Sequence, residues 1–249
     1  MSMPAGRPAE NALTDTPAKN HAALMDQVYR RQRYIYDITR KYYLFGRDRL
    51  IRELDLRPGD RLVEVGCGTA RNLIRIARRY PQARLFGLDA SQEMLKTATE
   101  AVRRAGLETR IRLAHGYAED LSPAMFGQSE AFDACVFSYS LSMIPDWKRA
   151  LTSATAALSA TGRIHVVDFG DLSGLGRAGR AILLAWLGLF HVTPRVELLH
   201  AFEQDASGSL RLLPGRYAFL LTSGNNNSSK SANLLQASHR HGLNPRQSN

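Results

Sequence analysis

The sequence predicts an α/β fold: a doubly wound, mostly parallel sheet of seven strands, with an antiparallel C-terminal hairpin and an N-terminal helical cap. Three observations predict it. Strand-like runs at 61–66, 84–89, 110–115, 132–138 and 163–169 alternate with helical stretches at 70–79, 91–105 and 147–159. Such alternation builds a parallel sheet covered by helices. The first run ends in the glycine turn Gly66-Cys67-Gly68, and the second ends in Asp89, 21 positions after Gly68. That spacing sets a nucleoside against the first crossover of an α/β sheet. Finally, the runs 209–213 and 216–221 flank Pro214-Gly215, which reads as a hairpin that reverses the last strand.

The elements follow in order. Residues 1–20 are polar, rich in Ala and Pro, and lack an apolar core, so they read as a disordered lead without a secretory signal. Residues 21–53 form the cap, a basic helical segment over roughly 23–53. Residues 54–222 hold the strands and helices of the domain, with a further helical segment over about 175–203 before the hairpin and no internal repeat. From 223 to 249, Asn, Ser and isolated basic residues dominate. This end reads as a disordered tail, and its abrupt composition also fits an out-of-frame or vector-derived sequence.

Composition bounds the function. At 249 residues the chain can form one well-cored domain, and a second full domain is not expected. Its 44% hydrophobic and 22% charged shares are ordinary for a globular protein, but its net charge of +10 is not. A charge of that size points to polyanionic partners such as nucleic acid or anionic lipid. The two cysteines, Cys67 and Cys135, are too few for a disulfide framework and lack metal-ligand spacing. We expect no metal and a reducing, cytoplasmic compartment. The longest apolar run, 181–190, would reach about 15 Å as a helix, against a hydrocarbon thickness of about 30 Å. No transmembrane segment is expected.

The glycine turn selects the cofactor. A dinucleotide site uses G-x-G-x-x-G, in which the third glycine lets the helix approach the strand beside a pyrophosphate. Here Arg71 stands in that third place. Glu64, two residues before Gly66, would repel a pyrophosphate but suits a ligand carrying an ammonium group. S-adenosylmethionine has an ammonium and a sulfonium, and no phosphate. Asp89 is placed to accept hydrogen bonds from ribose hydroxyls, with Ala90 beside it, and Met94 lies near an adenine face. Val65 and Cys67 complete the turn, and Ser138 ends the fourth strand at the same edge. A structural turn with a helix-capping acid is the bland alternative.

The motif Glu64-x-Gly66-x-Gly68 with Asp89-Ala90-Ser91-x-x-Met94-Leu95 resembles the class I S-adenosylmethionine-dependent methyltransferases, whose fold is Rossmann-like. The resemblance implies S-adenosyl-L-methionine as cofactor and S-adenosyl-L-homocysteine as product. That family carries a Gly-Asp-Ala-type turn at the adenine after its third strand. This chain has Gly116-Tyr117-Ala118-Glu119-Asp120-Leu121, so Tyr117 replaces the usual acid. Backbone groups at Ala118 or the Glu119 carboxylate would then take over the adenine contact.

The cap speaks to the acceptor. Val28, Ile35 and Tyr42 recur every seven residues, as do Tyr29, Tyr36 and Tyr43, so the six share one helix face. Arg30, Arg31, Arg33, Arg40, Lys41, Arg47, Arg49 and Arg52 interleave with them, against Asp37 and Asp48 from 29 to 52. A basic amphipathic helix with aromatics reads as a membrane-surface element. The competing readings are a core stripe for the tyrosines and a solvated face for the arginines. No nucleic-acid partner is expected, because no recognition module is present. The segment 175–180 followed by the apolar run 181–190 adds a second basic-then-apolar element. There Leu183, Trp186 and Phe190 suit acyl chains, and a core helix is the alternative.

Four segments resemble a narrower family, the diacylglyceryl-homoserine N-methyltransferases of betaine-lipid synthesis, and less closely bacterial phosphatidylethanolamine N-methyltransferases. They are Met25-Asp26-x-x-Tyr29-Arg30-x-Gln32-Arg33-x-Ile35-Tyr36-Asp37-x-Thr39-Arg40, Gly46-Arg47-Asp48, Ser140-Leu141-Ser142-Met143-Ile144-Pro145-Asp146-Trp147 and Val167-Asp168-Phe169-Gly170. The resemblance implies three methyl transfers to the amine of a lipid headgroup at the inner face of an anionic membrane. Tyr36 and Tyr139 are the candidates for lining the methyl-transfer site, where a phenol face holds a methylammonium. Arg30, Arg33 and Arg40 are candidates for the headgroup carboxylate. His115 and His165 fall in strand patterns and read as structural. Methylation of a soluble amine or quinone, and a membrane-associated scaffold that binds cofactor without turnover, remain the rivals.

Overall fold

The computed structural model describes residues 44–188, 194–204 and 208–224. The strands are β1 (Arg61–Val65), β2 (Arg84–Asp89), β3 (Ile111–His115), β4 (Phe132–Ser138), β5 (Leu158–Phe169), β6 (Gly208–Leu212) and β7 (Ala218–Gly224). They form one sheet in the order β3-β2-β1-β4-β5-β7-β6. The first five run parallel, β7 runs antiparallel to β5, and β6 is antiparallel to β7. The chain steps outward from β1 to β3 and then restarts on the other side of β1 at β4. This reversal leaves a crevice beyond the carboxyl ends of β1 and β4, the usual place for a ligand in open α/β sheets.

The described helices are α1 (Arg47–Glu53), α2 (Arg71–Arg79), α3 (Gln92–Arg104), α4 (Trp147–Ala157), α5 (Gly176–Gly188) and α6 (Val196–Gln204). Alternate residues of β1 point to opposite faces, so Leu62 and Val63 enter different cores. On one face Leu62, Leu85 and Val136 meet Leu73, Ile76 and Ala77 of α2 and Ala98 and Val102 of α3. On the other, Val63, Phe86, Cys135 and Phe137 meet Trp147, Ala150 and Ala154 of α4 and Leu199 and Phe202 of α6. In α3 the buried residues Met94, Ala98 and Val102 recur every four positions, and Ser91 caps the helix by accepting from the Met94 N–H.

Four expectations need correction. The helix expected over 23–53 is interrupted: Gly46, with φ +88°, starts a separate helix at Arg47. A left-handed residue cannot continue a right-handed helix, and glycine adopts that conformation without a side-chain penalty. Residues 21–43, with the tyrosine stripe and Tyr36, Arg30, Arg33 and Arg40, lie outside the described residues, as do 1–20 and 225–249. The helix expected to 159 stops at Ala157, because Leu158 pairs with Phe132 and β5 begins there. The pairing then skips from Phe132 to Ala134, an irregularity that absorbs extra residues of β5.

The helix expected over 175–203 is two helices, with Pro194 between them. Proline lacks the N–H that a helix needs and disfavours helix in the residue before it. Lastly, β7 reaches Gly224, so Ser223 and Gly224 pair with β5 rather than beginning a tail.

Candidate functional site

The site begins where β1 ends. Gly66 (φ +74°) and Gly68 (φ +53°) turn the chain, and Ala70 (φ +61°) leads into α2. The Gly66 and Cys67 N–H groups donate to the Leu88 carbonyl, at 2.8 and 3.0 Å. Gly66 is enforced by packing. A side-chain carbon there would sit 2.6 Å from the Ser140 Cβ, and the Ser140 hydroxyl donates to the Val65 carbonyl at 2.7 Å. The turn is therefore clamped between β2 and the segment after β4.

Asp89 ties the turn to the next crossover. One carboxylate oxygen accepts from the Gly68 N–H at 2.7 Å and the other from the Ser91 N–H at 2.9 Å. A carboxylate has about four lone-pair sites, and a ribose hydroxyl contact would draw on that acceptor capacity. Ser91 caps α3, and Met94 is buried in its first turn.

Glu64 is the unusual group. It is only 1% exposed, and Asn72 Nδ2 donates to its Oε1 at 2.7 Å. Its Oε2 is buried with no hydrogen-bond partner, and so is the Ser138 hydroxyl. Burial pushes the Glu64 carboxyl up to about 7, opposed by the Asn72 hydrogen bond and by Arg47. A buried acceptor without a donor carries a desolvation cost that a ligand donor removes. An ammonium group fits this demand, and a pyrophosphate does not.

Glu64 and Ser138 line a cavity of about 440 Å³ together with Arg47, Gly66, Cys67 and Gly68. That volume falls within the range of about 300–1,000 Å³ typical of small-molecule sites. The cavity extends along α2 past Arg71, Arg75 and Arg78 to Arg104. Asp48 pairs with Arg71 and Arg75 at 3.4 and 2.9 Å.

The remaining cofactor candidates do not line this cavity. Val65 belongs to the core of β1, and Ala90 follows β2, its carbonyl 3.0 Å from His115 Nε2. Tyr117, Ala118 and Glu119 form the turn after β3, where the Ser153 hydroxyl donates to the Glu119 carbonyl at 2.5 Å.

Tyr139 is 1% exposed, and φ of +56° is uncommon for an aromatic residue. Its hydroxyl donates to the Phe45 carbonyl at 2.5 Å, and its ring meets Phe169 edge-on, centroids 4.7 Å apart. It does not line the Glu64 cavity. Trp186, on α5, packs partly buried against the core. His165 is buried, its Nδ1 3.1 Å from the Thr222 hydroxyl, and burial lowers its pKa to about 4. A neutral imidazole held this way is structural. No group of metal-ligating side chains occurs among the described residues.

Three residues enter the site that the sequence reading left unassigned. Arg47 was read as one of many surface cations, yet it is 9% exposed and lines the cavity. Asn72, the second residue of α2, orients Glu64. Asp168, fully buried, accepts from the Ser142 N–H at 3.0 Å and the Phe169 N–H at 2.8 Å, and so fixes the segment after β4. The only local hint was their place in or beside the resembling motifs.

The chain is similar to several known proteins. Residues 62–162 match a family described as a methyltransferase domain. Demethylmenaquinone methyltransferase of Bacillus cytotoxicus is 30% identical over 147 residues, 57% of this chain and 60% of that protein. The chain thus spans less than two thirds of that relative's length. Ubiquinone/menaquinone biosynthesis C-methyltransferase UbiE of Syntrophotalea carbinolica is 28% identical over 217 residues, 82% of this chain and 84% of that protein. Among solved structures, mitomycin 7-O-methyltransferase MmcR shares the fold with a TM-score of 0.63 at 16% identity, covering 82% of this chain and 60% of that one. Residues 62–162 are thus similar to a methyltransferase domain, one that takes S-adenosylmethionine as its cofactor.

Proposed function

We propose that this methyltransferase acts on the amine of a lipid headgroup and trimethylates diacylglyceryl homoserine to a betaine lipid. The observation that carries the reading is a convergence. Three of the four segments that resemble the betaine-lipid enzymes meet at one edge of the sheet. Arg47 lines the cavity, Ser140 packs on Gly66, and the Ser142 N–H is held by Asp168. Nearby, Phe45 is 59% exposed, and on α5 Ile182 is 72% exposed. Large apolar groups left in water suit a lipid acceptor and peripheral attachment to the inner face of a membrane.

The bound cofactor supplies an electrophilic methyl group on a sulfonium. The chain orients it through Glu64, Ser138 and Asp89, and must present an amine with a free lone pair. An α-amine loses its proton near pH 8, so deprotonation near neutral pH costs about 1–3 kcal/mol. Orientation and water exclusion supply up to roughly 7–11 kcal/mol. A strong base is therefore not required. Tyr139 is buried outside the cavity, its hydroxyl donating a hydrogen bond to the Phe45 carbonyl, so in this reading it positions the segment after β4 rather than meeting the amine.

A second reading has its own support. The curated relatives named above methylate a demethylmenaquinone or act in ubiquinone and menaquinone biosynthesis, so a quinone acceptor and C-methylation fit the same domain. One experiment separates the readings: incubation with labelled S-adenosylmethionine, total bacterial lipids and demethylmenaquinone, followed by mass analysis. We expect label in a trimethylated headgroup. Label in the quinone alone would replace our reading, and cofactor binding without any transfer would favour a scaffold.

A further inference from the structure

We propose that the groove between α2 and α3 binds a phosphate-bearing anion, held by Arg75 and Arg78 of α2 and Arg104 of α3. The ligand is neither the cofactor nor the methyl acceptor, so the inference stands whichever lipid or quinone is methylated. The cavity that starts at Glu64 runs along α2 to Arg104. Arg71, Arg75 and Arg78 recur at steps of four and three, which puts them on one face of the helix. Arg78 stands about 10 Å further along the axis than Arg71. It is next to last in α2, and Arg104 is last in α3. These helices lead into β2 and β3, so this part of the groove lies toward the amino ends of those strands, away from the glycine turn.

Charge here is not balanced among the described residues. Asp48 pairs with both Arg71 and Arg75, at 3.4 and 2.9 Å, so one acid serves two cations. The Arg78 and Arg104 side chains are exposed and form no hydrogen bond or ion pair among the described residues. Glu100, one turn before Arg104, is exposed and does not pair with it.

Cations in the last turn of a helix commonly complement the carbonyls left open there. That role is already filled. Arg110 donates to the Ala77, Tyr80 and Ala83 carbonyls at 2.9, 2.7 and 3.1 Å, closing the end of α2. At the end of α3 the N–H groups of Ala105, Gly106 and Leu107 donate to the Ala101, Arg103 and Val102 carbonyls, at 3.1, 2.9 and 3.1 Å. Arg78 and Arg104 are therefore surplus to helix capping. Like charges gathered along a groove focus a field that draws in an anion. A phosphate offers more charge and more oxygens than a carboxylate, and each guanidinium fork takes two oxygens at a time.

Isothermal titration of the full chain with inorganic pyrophosphate at about 0.15 M salt tests this. We expect saturable binding, weakened at least about tenfold when Arg78→Gln and Arg104→Gln are combined, with S-adenosylhomocysteine affinity kept within about twofold. Arg78→Lys with Arg104→Lys should keep part of the pyrophosphate affinity, because point charges replace forks. A charge-matched control combines Arg57→Gln and Arg177→Gln, at exposed arginines outside the cavity. An equal loss in that control would reduce the effect to general attraction and overturn the proposal. So would no pyrophosphate binding by the unmutated protein, displacement of S-adenosylhomocysteine by pyrophosphate, or loss of both ligands in the double Gln variant. Vesicles of phosphatidylglycerol in phosphatidylcholine distinguish the source of the phosphate. Vesicle retention that falls in the double Gln variant assigns the groove to lipid headgroups. Unchanged retention alongside lost pyrophosphate binding assigns it to a soluble phosphate.

Discussion

Glu64 places a carboxyl group at a nearly fully buried position, and its chemistry follows from that. Burial raises its pKa from the ordinary 4.5 to about 7, so near neutral pH it is only partly ionised in the unliganded protein. An ammonium ligand requires the carboxylate form and pulls the pKa back down. S-adenosylhomocysteine affinity should therefore rise as pH increases from about 6 to 8, with a proton released on binding at the lower end. Titrations in buffers of different ionisation heat would read that proton, and Glu64→Gln should abolish both release and pH dependence. Folding stability moves the other way. A raised folded-state pKa contributes stability that is fully present below the unfolded value of 4.5 and is lost as pH rises through about 7. Asp168, raised by burial to about 6, adds a loss in the same direction over about 4 to 6.

At the scale of elements, α2 links the glycine turn to the core. Leu73, Ile76 and Ala77 bury its inner face while Arg71, Arg75 and Arg78 face the cavity. The same helix carries Asn72, so its seating fixes the Glu64 carboxylate. Leu73→Ala should cost about 2–5 kcal/mol of stability in chemical denaturation and loosen cofactor binding through Asn72. Gly66→Ala should behave differently. It forces a methyl into Ser140 and strains a positive φ, so cofactor affinity should collapse while most core contacts survive. A Gly66→Ala protein that binds S-adenosylhomocysteine normally would show that the clamp between Gly66 and Ser140 is dispensable.

Over the whole molecule, the sheet order places β1 and β4 side by side at the reversal, and Glu64, Gly66, Gly68 and Ser138 lie at or just past the ends of those two strands. The full chain carries a net charge of +10. No described helix is long and apolar enough to cross a membrane, so attachment to a bilayer, under the proposed function, would depend on surface charge and exposed apolar groups. Each basic residue near an anionic surface contributes about 1 kcal/mol, and that attraction is screened within about 10 Å at 0.1 M salt and about 3 Å at 1 M. Co-sedimentation with vesicles rich in phosphatidylglycerol should therefore fall steeply between those salt concentrations. Retention unchanged at 1 M would assign the contact to apolar groups such as Ile182 instead.

The sequence by itself determined what is local. The alternating runs set a parallel sheet, and Glu64, Gly66, Gly68 and Asp89 marked a candidate nucleoside site because turn, acid and spacing lie within 26 residues of one another. Pro194 also stands in the sequence, yet the reading ran a single helix through it over 175–203. Tertiary structure decided what depends on partners distant in the chain. Strand β5 begins at Leu158 because Phe132 offers it a partner, against the helical pattern that runs to that point. Gly46 needs its glycine because Leu213 and Val167 press on it. Arg47 looks like one more surface cation until the fold buries it beside Glu64. Burial is a property of the packed chain, and it alone separates this arginine from its neighbours.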